Sequence, residues 1–131
     1  LALRSKGLVS NAMNMTETKR SLFRIYNGVN KEVYGYGVTE LKINFIDNLM
    51  IFMTRDNRVH TLEILEERYS LLKQNVDQAL YAEFKLRLKD SLRKNMNLET
   101  VSIHRDYDSG SRIAVTVAVL DEDTFKAIID G

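Results

Sequence analysis

The residues best suited to chemistry in this chain are its two histidines, His60 and His104, and the charged neighbours of the second. His104-Arg105-Asp106 stands in a stretch with strand character. Alternate strand residues share a face, so His104 and Asp106 would project together and Arg105 the other way. A carboxylate beside an imidazole can hold one tautomer for acid–base work. A cross-strand charge network at a hairpin end accounts for the same residues equally simply. His60 falls near a helix start, where Glu63 can reach back to its backbone amide, so a capping or surface place is expected.

Tyr34-Gly35-Tyr36-Gly37 contains G-x-G but lacks the strand before it and the helix after it that a dinucleotide fingerprint needs. Its glycines are expected to turn the backbone, and its tyrosines either stack on a ligand or roof the core. Arg55, Arg58, Arg105 and Arg112 fall at strand ends or loops, and would form an anion site if they converged. The candidate ligand-binding set is therefore Tyr34, Tyr36, Arg55, His104 and Asp106. Asp121, Glu122 and Asp123 are consecutive at a helix start, where capping fits better than metal binding. No G-x-S-x-G elbow occurs and cysteine is absent. No catalytic residue, metal or cofactor is expected.

These residues sit in 131 positions, enough for one domain with a core. The net charge is +1, from 19 basic and 18 acidic side chains, which gives no overall field to attract nucleic acid or an anionic membrane. No nucleic-acid partner is expected. No apolar run approaches the roughly 20 residues of a membrane span, so direct membrane insertion is not expected either. The lack of cysteine fits a cytoplasmic protein. Ser10-Asn11-Ala12 before Met13 resembles the remnant of a cleaved tag. Residues 1–14 are expected to be a tail, either such a remnant or the end of a preceding segment. Residues 1–15 lack the apolar core of a secretory leader. Residues 15–131 are expected to form a single domain.

Two periods alternate along that domain. Leu22, Ile25, Tyr26, Val29 and Val33 recur at helical spacing, with Gly28 inside the helix and Gly35 as its terminator. Gly28 implies either a close neighbour or a locally weak helix. Leu41, Ile43 and Phe45 then alternate with polar residues, and Asp47-Asn48 suits a tight hairpin turn. Residues 49–54 are apolar on both faces, which predicts a central or interface strand. A long helical stripe follows: Leu62, Leu65, Tyr69, Leu72, Val76, Leu80, Phe84, Leu88, Leu92 and Met96. It is either one helix of roughly 50 Å or two with a bend near residues 74–77. Val101 and Ile103 open a third strand, which turns at residues 108–111 into a fourth with Ala114, Thr116 and Ala118 on its small face. Phe125, Ile128 and Ile129 mark a short last helix.

The predicted fold is α+β. It is a two-layer sandwich in the order α-β-β-α-β-β, with a four-stranded, mainly antiparallel sheet and its helices on one face. The stripe and the two-faced strand offer more apolar surface than one such sheet covers, which predicts a homodimer. Phe84, Leu88 and Leu92 are the expected contacts with the second chain.

The run from Tyr34-Gly35-Tyr36-Gly37 through Leu41-Lys42-Ile43 to Asn48-Leu49-Met50-Ile51 resembles the bacterial MpsC-like family. So do Val101-Ser102-Ile103-His104-Arg105-Asp106 and Arg112-Ile113-Ala114-Val115-Thr116-Val117. The resemblance covers about residues 16–120 and contains no catalytic signature. The family has no assigned function, and its name links it to a sodium-translocating system that generates membrane potential. The resemblance thus implies a non-enzymatic cytosolic accessory or interaction domain, with a possible protein partner at that membrane system. A small-ligand or anion sensor built on the candidate set is the second expectation.

Overall fold

The computed structural model describes residues 8–55 and 60–130, with side chains for 15–55 and 64–128. Helix α1 (Leu8–Tyr34) leads into strands β1 (Leu41–Ile46) and β2 (Leu49–Arg55). Helices α2 (His60–Arg68) and α3 (Ser70–Met96) lead into β3 (Thr100–Asp108) and β4 (Ile113–Leu120), and α4 (Glu122–Asp130) follows. The predicted α+β order is thus present, with helices packed on one sheet face. The helix α1 begins before residue 15, so the expected boundary at 14/15 falls inside it. Residues 1–7 lie outside the described residues.

The local signals act where the sequence puts them. Gly35 (φ 85°) ends α1, its N–H reaching the Lys31 carbonyl. Asp47 takes φ 51° in the first hairpin turn. Asn97 ends α3 in the left-handed conformation, which asparagine tolerates, and the Leu98 N–H closes back on the Leu92 carbonyl. The long stripe bends at Tyr69 (φ −133°, ψ 54°), before the expected 74–77 segment. Hydrogen bonds Tyr69 N–H to Leu65 O and Lys73 N–H to Tyr69 O continue across the bend. Around it Ile64, Tyr69, Leu71 and Leu72 are exposed.

The sheet order is β1-β2-β4-β3, with every neighbouring pair antiparallel. Sequence left open how the two hairpins join; they join through β2 and β4. These strands are apolar on both faces, and a central place gives each a neighbour that shields its side chains on either flank. The more polar β1 and β3 become edges. A bulge between Thr100 and Ser102 turns Val101 outward, so Thr100 rather than Val101 shares the inner face with Ile103.

The helices cover the face carrying Ile43, Met50, Phe52, Ala114, Thr116, Ala118 and Ile103. The small residues of β4 let Tyr26 reach the sheet, where its ring stacks 4.9 Å from Phe52 and meets Phe84 edge-on at 5.3 Å. Phe84, Leu88 and Leu92 are 0% exposed in the single chain, joined in one core with Leu22, Tyr26 and Val29. They are therefore not an interface. The break at Tyr69, ahead of α3, lets α3 lay this part of its stripe on its own sheet and on α1, which hides it without a second chain.

Candidate functional site

One cleft of about 290 Å³ opens between the edge strand β3, helix α3 and the loop after α1. Tyr34, Tyr36, Tyr81, Tyr107, Arg105 and the Lys73–Asp77 pair line it. The loop is set by two asparagines of α1, three residues apart. Asn27 Oδ1 accepts from the Val38 N–H at 2.8 Å, and Asn30 Nδ2 donates to the Tyr36 carbonyl at 2.9 Å. Gly37 is required by this clamp, since a Cβ there would stand 2.7 Å from Asn27 Oδ1. The G-x-G thus serves one helix stop and one close approach.

Arg105 brings a cation to the aromatic wall of the cleft. Its guanidinium carbon lies 4.6 Å from the Tyr34 ring centre and 4.5 Å from that of Phe84, a double cation–π contact. Tyr34 and Tyr36 are neighbours at 6.5 Å. The Tyr81 hydroxyl accepts the Arg105 backbone N–H, which occupies a donor on the outer edge of β3. Lys73 and Asp77 are paired at 2.8 Å one helical turn apart. Sequence reading missed Tyr81, Lys73 and Asp77; their i, i+4, i+8 spacing on one helix was the available signal.

The candidate ligand set is only partly assembled. Tyr34 and Tyr36 line the cleft, Asp106 borders it from β3 while its place in the register is on the opposite sheet face, and His104 and Arg55 do not line it. His104 Nε2 lies 3.0 Å from Ser102 Oγ, so its partner is a serine on the same strand face rather than Asp106. Arg55 pairs with Glu40 at 3.5 Å, both side chains largely exposed. Of the arginines expected to converge, Arg105 lines the cleft and Arg55 pairs elsewhere, while Arg58 lies outside the described residues. The His60 side chain is also outside them. Asp121 caps α4 through its Oδ2, which accepts from the Asp123 and Thr124 N–H groups. A wider groove of about 680 Å³ between α1 and α3 is lined by Arg24, which donates to the Ser21 hydroxyl, and by the ion pairs of Arg87 with Glu32 and Asp90 with Lys94. Among the described residues no group of three or more metal-ligating side chains occurs, and no helix is long and apolar enough to cross a membrane.

The other notable surface is the sheet face turned away from the helices. Leu49, Ile51 and Met53 of β2 stand beside Val119, Val117 and Val115 of β4 there. None of these six belongs to the core or packs against it. Each is partly exposed, because neighbours in a sheet shield one another's flanks but not their tips. Lys42 and Asn44 border this stripe on β1, and His104 and Asp106 on β3. Compared with known protein families, curated proteins and solved structures, the chain finds no match.

Proposed function

We propose that this chain is a non-enzymatic accessory or interaction domain that works in the cytoplasm by presenting its open sheet face to protein. The observation that carries this reading is the apolar stripe Leu49, Ile51, Met53, Val115, Val117 and Val119 on a face no described helix covers. Contiguous apolar patches on monomers are usually functional surfaces. The motifs read in the sequence as resembling the MpsC-like family are the ground for placing this role beside a membrane ion-translocating system. Val117→Lys tests the reading: it places a charge at the centre of the stripe while leaving the core untouched. Capture from cell extract should yield protein bound to the native chain and lost with the variant, with both melting alike. Retention of every bound protein by the variant, or reproducible metabolite turnover by the purified chain, overturns it.

A second reading is a small-ligand or anion sensor, favoured by the Arg105 guanidinium between Tyr34 and Phe84 in a cleft lined by four tyrosines. A ligand there raises the melting temperature by mass action. A flat thermal-shift screen across anions and nucleotides counts against it.

A further inference from the structure

The register of the open face specifies what fits it. Three rows cross the sheet. The first holds Lys42, Met53, Val115 and Asp106; the second Asn44, Ile51, Val117 and His104; the third Ile46, Leu49, Val119 and Ser102. Each row is apolar in its two central members. In the first, one edge carries a cation and the other an anion, and both Lys42 and Asp106 are exposed.

We infer that the occupant of this face is a second copy of the same chain, packed sheet against sheet about a two-fold axis parallel to the strands; this rests on the interaction reading above. That axis reverses every row onto itself. It lays β1 over the partner's β3 and β2 over the partner's β4. Met53 then meets Val115 of the partner subunit, Ile51 meets Val117 of the partner subunit, and Leu49 meets Val119 of the partner subunit. Lys42 faces Asp106 of the partner subunit, twice per dimer. Sheets stack about 10 Å apart, a gap that an extended lysine and an aspartate bridge. The modest crossing angle of aligned sheets keeps these edges in reach. A two-fold axis across the strands instead stacks β1 on β1 and β3 on β3. It also exchanges the first and third rows, so that Lys42 faces Ile46 of the partner subunit and Asp106 faces Ser102 of the partner subunit, and neither charge gains an opposite partner.

Size agrees with a reversible dimer. Four strands at about 4.8 Å spacing and some six residues of rise give a face of roughly 20 by 20 Å. Two such corrugated faces bury on the order of 1,000 Å², the lower bound of specific interfaces. A dissociation constant in the micromolar range is expected.

Sedimentation equilibrium on the full chain tests the pairing with Lys42→Glu, Asp106→Lys, the double variant and Val117→Lys. The native chain should dimerise, and each single charge reversal should weaken the dimer about tenfold or more. The double reversal should return it to within roughly threefold of the native value. A native chain monomeric at several hundred micromolar overturns the inference, as does a double variant no tighter than the singles. Loss of the dimer in Val117→Lys without response to the charge reversals also overturns it, while leaving the interaction reading standing. A dimer indifferent to Val117→Lys overturns the inference as well, whereas the interaction reading is overturned by retention of every captured protein by Val117→Lys.

Discussion

The Tyr26 hydroxyl lies 2.9 Å from the Thr116 hydroxyl, both side chains fully buried, and the pair links α1 to β4. The pair fixes where the helix layer sits on β4. Tyr26→Phe leaves the Thr116 oxygen buried without this partner, which costs about 1–3 kcal/mol. Adding Thr116→Val removes the orphan, so the double variant should recover part of the loss. Urea melts of the four proteins measure this coupling; strictly additive losses would show that the two hydroxyls act independently.

Two glycines should respond oppositely to alanine. A Cβ at Gly28 has nothing within 4 Å, so no neighbour requires glycine there, and only the helical cost remains. Gly28→Ala should stabilise by about 0.5–1 kcal/mol. At Gly37 a Cβ meets Asn27 Oδ1 at 2.7 Å and displaces the bond that holds Val38. Gly37→Ala should destabilise by about 1 kcal/mol or more. Thermal melts that move both variants the same way would contradict this contrast.

Phe84 and Leu88 were the expected dimer contacts, and their burial turns that expectation into a folding prediction. An aspartate at either position removes core packing and buries an unpaired charge, a loss of at least about 4 kcal/mol. That approaches the whole stability of a small domain. Circular dichroism should find Phe84→Asp and Leu88→Asp unfolded. A folded, soluble monomer from either would restore α3 as the interface.

Asp108 organises the second hairpin turn. Its carboxylate accepts from the Ser111 N–H at 2.8 Å, and the Ser111 backbone and hydroxyl donors hold its pKa below the ordinary 3.8. A depressed folded pKa stabilises above the unfolded value and ceases to do so as pH falls through the folded one. The turn should therefore keep this contribution at pH 5 and lose it progressively below about pH 3.8. A carboxyl-carbon NMR titration of Asp108 should have its midpoint under 3.8, and a midpoint at or above that value would refute the assignment.

The Tyr26–Thr116 contact also marks the line between sequence and tertiary structure. Period alone determined the element order, because a 3.6-residue stripe such as Leu22, Tyr26 and Val29 and a two-residue alternation such as Leu41, Ile43 and Phe45 are local properties. Composition and local turn chemistry gave the stops at Gly35 and Asp47-Asn48. Period could not say which neighbour hides a stripe. Whether Phe84, Leu88 and Leu92 face a second chain or their own sheet depended on the bend at Tyr69 and on the small residues Ala114, Thr116 and Ala118 admitting the helices. The cleft was legible only in part: Tyr34 and Tyr36 stood out beside glycines, but Tyr81 and Lys73 reach it from an element far along the chain. The row from Lys42 to Asp106 exists only because β4 pairs with both β2 and β3. Strand order is a long-range choice: the two-faced pattern of residues 49–54 pointed to a central or interface place for β2, but which strand stands beside it was decided only by its pairing with β4.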